Sequence, residues 1–241
     1  MDFAQYILNI PLLHSWDGGN TWNSGGFEKF HLKAFYSLIN EISNPDITIL
    51  ETGAGNSTLT FLLSNPGKLI SIAKDGIIFE RIFQFIKDNK INDKPLKAIV
   101  ERSEWALPEL AQSGLSIDLA LIDGGHNWPT VFVDFCYIYY MLNVNGYLII
   151  DDVHLHSIKE LARLLYADKK RFDLKSDLGK ALVFQKITEE KYLPEWPDEP
   201  YIKEQTDIYL SSSEPNTLGT VKTIMWYKTI KRDIKKLIMK K

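Results

Sequence analysis

The stretch ITILETGAGNSTLTFLL (residues 47–63) decides the fold of this 241-residue chain. An apolar, strand-like run ends in Glu51, passes through Gly53-Ala54-Gly55 and opens near Ser57 into a helix-forming segment. Glycine is needed where a chain reverses tightly and where a ligand must lie against bare backbone. The helix that follows offers unpaired N–H groups and a positive dipole end to a negatively charged or electron-rich ligand. The pattern predicts a cofactor-binding turn.

Spacing narrows the choice of cofactor. A dinucleotide fingerprint asks for a third glycine three residues after the second, to pack helix on strand over a pyrophosphate. Thr58 stands there instead. A phosphate-binding loop would close on Gly-Lys-Ser/Thr, which is also missing. The turn keeps the form acid-x-Gly-x-Gly-x-Ser.

Outward from this turn, strand-like and helix-like stretches alternate between residues 46 and 187. LISIA (69–73) precedes FERIFQFIKDN (79–89), whose Phe79, Ile82, Phe83 and Ile86 recur at helical spacing. KAIVE (97–101) precedes a short helix at Ala106–Gln112, IDLALID (117–123) precedes 129–143, and GYLIID (146–151) precedes 156–167. RFDLKSD and KALVFQKI follow as a hairpin around Leu178-Gly179. Strand–helix pairs repeated in this way predict an α/β fold, a mostly parallel sheet with helices on both faces. The hairpin should add one antiparallel strand. Ligands of such sheets bind beyond the carboxyl ends of the strands. Those ends hold Glu51, Asp75, Ser103, Asp123, Asp151 and Asp152.

Two motifs in the second half are more specific. They are LIDGGHNWPTVFVDF (121–135) and NGYLIIDDVHLHSIKEL (145–161). With the glycine turn, in this order, they resemble a subgroup of class I S-adenosylmethionine-dependent methyltransferases that carry Asp-Gly-x-His after the fourth strand and Asp-Asp after the fifth. The resemblance covers residues 47–187 and implies a Rossmann-like, doubly wound, seven-stranded sheet closed by a β-hairpin. It implies that Glu51 orients the methionine amino group, and that Gly53, Ala54 and Gly55 admit the cofactor to the backbone beside Ser57. Ser103 and Glu104 would lie beside adenine, with Asp123 nearby. One position departs from the pattern: where relatives end the second strand in a ribose-binding acid, this chain has Ala73, with Asp75 two residues later.

The distant catechol-type relatives hold Mg²⁺ on acids at these strand ends, which makes Asp123, Asp151 and Asp152 a candidate metal set. Hard oxygen ligands suit that ion. His126, three residues after Asp123, is the first candidate for the catalytic base, since imidazole titrates near neutrality. His154 competes with it, and Asp151 is the acid at the same strand end. The implied activity is methylation of a small molecule at oxygen, on a sugar or another hydroxylated metabolite. Two alternatives stay open: a non-catalytic cofactor-binding scaffold of the same fold, and another α/β nucleotide-sugar enzyme.

The rest of the chain bounds partners. Its composition, 45% hydrophobic and 24% charged, is that of a soluble globular protein. The single cysteine, Cys136, rules out a disulfide framework and fits a cytoplasmic setting. Neither a secretory leader nor an 18-residue apolar run is legible. Residues 222–241 carry eight Lys or Arg and one Asp, so the remainder is acidic and offers no nucleic-acid groove. That basic amphipathic tail is a candidate for peripheral membrane contact or for a homodimer interface. The aromatic run FCYIYY (135–140) is expected in the core, whereas Trp16, Trp22 and Trp128 lie in loops where they could cover a ligand. Three regions are expected: 1–45 as an acceptor-side lid, 46–187 as the methyltransferase core, and 188–241 as a C-terminal cover within a single domain.

Overall fold

The computed structural model describes residues 1–211 except Trp16, Ser43 and Pro45. The basic tail at 222–241 lies outside the described residues. Two units are present, 1–193 and 194–241. The described part of the second comprises a 3₁₀ turn at Trp196–Asp198 and helix α8 at Pro200–Ser211.

In the first unit, α1 (Phe3–Leu8) and α2 (Lys29–Glu41) precede the alternating segment. That segment runs β1 (Thr48–Thr52), α3 (Asn56–Leu63), β2 (Lys68–Ala73), α4 (Gly76–Asp88), β3 (Leu96–Val100) and α5 (Ser103–Gln112). It continues with β4 (Ile117–Ile122), α6 (Trp128–Met141), β5 (Leu142–Ile150), α7 (His156–Ala167), β6 (Phe172–Asp177) and β7 (Leu182–Lys186). The seven strands form one sheet in the order β3-β2-β1-β4-β5-β7-β6. The first five strands are parallel, and β7 runs antiparallel to both β5 and β6. This is the predicted doubly wound sheet with its hairpin. β5 begins earlier than the apolar run suggested, because a register shift between Ile117 and Leu119 lets Leu142 pair with Ile117.

Alternation along each strand builds two cores. Leu50, Ile70, Ile72, Ala120, Ile122, Leu148 and Ile150 face α5, α6 and α7. Ile49, Leu69, Leu119, Leu121 and Ile149 face α1 to α4. Central strands buried on both sides explain why their sequence is continuously apolar. Phe135, Ile138 and Tyr139 of the aromatic run are buried in the first core as expected, whereas Tyr140 is exposed. α1 was not legible as an element, although Asp2 and Gln5 form a capping box and Tyr6 is fully buried.

The compact unit is wider than the expected 46–187 segment. Tyr6, Leu32 and Phe35 belong to the same core as the sheet, so α1 and α2 are integral to it. At the other end Leu193 still packs on the core, and Glu190 accepts a 2.7 Å hydrogen bond from Arg171 Nε. Among the described residues no helix is long and apolar enough to cross a membrane.

Candidate active site

The sheet reverses its winding between β1 and β4, and the site lies beyond their carboxyl ends, the crevice expected of such a sheet. Gly53 continues the ladder by donating its N–H to Ile72 O at 2.8 Å, then turns with φ +89°. A Cβ there would meet Asp123 O at 2.3 Å. The β1 and β4 turns therefore touch backbone to backbone, which only glycine permits. Gly55 caps α3, and a Cβ on it would lie 2.5 Å from His14 Nε2.

Thr58 fills the place of the missing third glycine with a specific task. Its hydroxyl accepts from Gly55 N at 2.9 Å and donates to Glu51 Oε1 at 2.5 Å. Ser57 donates to Glu51 Oε2 at 2.7 Å. Glu51 is fully buried, and burial pushes its carboxyl up to about 7 against the lowering pull of these hydroxyls. Both of its oxygens are thus engaged inside the protein.

A cavity of about 510 Å³ opens over this turn. Of the expected cofactor contacts, Gly53, Ala54, Asp75, Ser103, Glu104 and Asp123 line it. Glu51, Gly55 and Ser57 stand behind that wall. α5 begins at Ser103, earlier than its apolar residues indicated, which puts Ser103 and Glu104 on its first turn. Thr130 Oγ1 at 2.9 Å and Arg102 Nη2 at 3.1 Å hold the Glu104 carboxylate in place. β2 ends at Ala73, and Asp75 N-caps α4 by accepting from Ile77 N at 2.9 Å.

The ends of β4 and β5 form the other half of the site. His126 Nε2 lies 3.7 Å from Asp123 Oδ1, and its Nδ1 lies 3.6 Å from Asp152 Oδ2. Asp123 beside it, and then the Asp152 and Asp151 charges, hold the imidazole above the usual histidine range although burial opposes them. Asp152 adopts φ +55°, a left-handed conformation that a non-glycine residue tolerates only under constraint. His154 is mostly exposed, 3.9 Å from Asp152 Oδ1, and does not line the cavity.

Asp151 departs from its expected place among metal ligands. It is buried, and Lys180 Nζ sits 2.8 Å from its Oδ2 and 3.4 Å from Asp152 Oδ1. An internal ammonium thus holds the charge that a cation would otherwise have neutralised. Among the described residues, the ligand-capable trio within 4.8 Å is Asp123, His126 and Asp152, not the expected Asp123, Asp151 and Asp152. The donors available for Mg²⁺ are therefore two carboxylates and an imidazole, a softer set than the three acids.

S-Adenosylmethionine fits the residues better. The cavity spans the glycine turn, the α5 start and the β4 turn, and its lining residue His126 keeps Nε2 buried without a hydrogen-bond partner. Orphaned buried polar atoms are rare unless a ligand or water completes them. Several residues here gave no warning in the sequence. His14 lies in the N-terminal flank, Arg81 on α4, and Lys180 in the hairpin turn, each far along the chain from the motifs they adjoin. Trp22 carries the Arg81 guanidinium 5.0 Å over its ring, and Trp128 starts α6 half-exposed beside His156. Trp16 lies outside the described residues.

Residues 50–153 match the family model described as a methyltransferase domain. That segment of the chain resembles a methyltransferase domain. No curated protein matches the sequence. Among solved structures it is similar to the O-methyltransferase TomG of Streptomyces achromogenes, determined with S-adenosylmethionine, at 15% identity and TM-score 0.58. That match covers 68% of this chain and 82% of TomG. The Podospora anserina methyltransferase PaMTH1, bound to S-adenosylhomocysteine, gives 14% identity and TM-score 0.55 over 68% of this chain and 81% of that one. An rRNA methylase from Streptococcus thermophilus gives 16% and 0.53, over 67% and 98%. Acceptors this different on one scaffold show that the methyltransferase fold does not choose the acceptor.

Proposed function

We propose that the protein transfers a methyl group from S-adenosylmethionine to a hydroxyl of a small acceptor, such as a sugar or another polyhydroxylated metabolite. One observation carries this reading: His126 stands between Asp123 and Asp152 where the cofactor cavity meets the ends of β4 and β5. The backbone at Gly53 and Ala54, the Ser103–Glu104 turn and Asp123 would hold the cofactor, which supplies an activated methyl group. Asp75, two residues past Ala73, is an acid that lines the cavity there.

The chain's own work is positioning and proton removal. Neutral His126 takes the acceptor's proton, and the flanking carboxylates stabilise the imidazolium that forms. Asp151, fixed by Lys180, shapes the acceptor end without binding a metal. Calorimetric titration tests the reading, with S-adenosylhomocysteine expected to bind in the micromolar range. Absence of binding by both it and S-adenosylmethionine at millimolar concentration would refute it. EDTA should leave turnover unchanged, and loss of activity restored by Mg²⁺ would return the metal set to the mechanism.

A further inference from the structure

Residues 13–15 and 24–26 line the cavity from outside the alternating segment, and two cations from distant elements grip them. On the α4 side, Arg81 Nη1 donates to Leu13 O at 2.6 Å, and its guanidinium lies over Trp22. On the hairpin side, Lys180 Nζ donates to Gly25 O at 2.7 Å and lies 4.7 Å from the Phe27 ring centre. Between these grips the loop closes on itself. Asn23 accepts from Leu13 N and His14 N at 3.0 and 3.2 Å, donates Nδ2 to Pro11 O at 2.8 Å, and donates its N–H to His14 O at 2.8 Å. Asn23 adopts φ +53°, a turn that this short amide side chain tolerates better than most.

We propose that Arg81 and Lys180 are positioning residues that pin residues 13–15 and 24–26 as one wall of the cavity, with Lys180 coupling that wall to the Asp151–Asp152 pair. The three ammonium contacts of Lys180, to Asp151, Asp152 and Gly25 O, leave no slack between acceptor end and wall. An ammonium has three protons to donate, and each has an acceptor here. The hairpin tip adds a second tie nearby, since His31 Nε2 lies 3.1 Å from Leu178 O. Loss of the Lys180 ammonium would therefore release the wall and leave the acid pair without its cation at the same time. The ligand-binding part of this inference rests on the proposed function; the pinning does not.

Hydrogen exchange on the full chain tests it, read by mass spectrometry for wild type, Lys180→Met, Lys180→Arg and Arg81→Met. Losing one charge-assisted contact should speed exchange in peptides spanning 13–26 by about tenfold or more in both Met variants. Peptides spanning 47–63 should stay at wild-type rates, and Lys180→Arg should keep most of the protection. Lys180→Met leaves Asp151 buried without its cation, so the Lys180→Met/Asp151→Asn pair serves as a background that removes both charges. S-Adenosylhomocysteine should dissociate about tenfold faster from the Met variants, the loss expected of a single charged hydrogen bond. Unchanged exchange in 13–26, or an equal rise in 47–63, would overturn the pinning. Wild-type protein that fails to bind S-adenosylhomocysteine would instead overturn the functional reading and leave the exchange result standing.

Discussion

His126 is the residue where chemistry and environment meet. Its two nitrogens face different carboxylates, so either tautomer has an acid to orient it. Asp123 raises its proton affinity, so the neutral, proton-accepting form grows in only above the usual histidine range. The rate should therefore climb with pH through a value above about 6.5. Asp123→Asn removes the main cause of that rise and should move the climb to lower pH; a profile that does not move would argue against His126 as the titrating base. His126→Asn should cut kcat about 10²- to 10⁴-fold, the usual worth of a general base, while S-adenosylhomocysteine affinity changes less than about threefold. A matching loss of affinity would make His126 a binding residue instead. The motif Asp-Gly-Gly-His pointed to this residue. The Lys180 partner of Asp151 was not legible, because its 29-residue separation in sequence is bridged only when β7 lies against β5.

At the scale of the element, the β1–turn–α3 unit shows two glycines with different duties. Gly53 combines φ +89° with backbone 2.3 Å from any added Cβ, and the backbone of the β4 turn cannot step aside. Gly53→Ala should cost more in chemical denaturation than the roughly 1–2 kcal/mol of left-handed strain, because the backbone clash adds to it. Gly55 meets only the His14 side chain, which can rotate away. Gly55→Ala should stay within about 1 kcal/mol of wild type, near the general glycine-to-alanine difference, yet alter cofactor affinity by displacing His14. Equal stability losses in the two variants would contradict this division. The element itself was legible to within a residue or two, since strand and helix periodicities are local. The duty of each glycine was not, because it depends on Asp123 and His14, which the fold brings from opposite directions along the chain.

Over the whole molecule, buried acids gather towards the carboxyl ends of the strands. Burial pushes Glu51 and Asp151 up to about 7 and Asp134 up to about 6. For Asp151 the Asp123 charge adds to burial, and Lys180 opposes both. A carboxyl whose folded value is raised binds more protons folded than unfolded, so ionising it costs stability. The ligand-free protein should therefore lose stability as pH rises from about 4.5 to about 7, the opposite of an ordinary paired carboxylate. Glu51→Gln should flatten that slope, by about 3 kcal/mol at most, when denaturation midpoints at pH 5 and pH 8 are compared. A wild-type midpoint that rises over this range would refute the assignment. By itself the sequence determined the alternating α/β order, the glycine turn and the acids at the strand ends, because periodicity, turn chemistry and motif spacing are written in neighbouring residues. Only the tertiary structure decided that Glu51 faces inward, that Lys180 pairs with Asp151, and that residues 13–15 and 24–26 wall the cavity. Those are contacts between segments distant in sequence, and their partners become neighbours only when the sheet assembles.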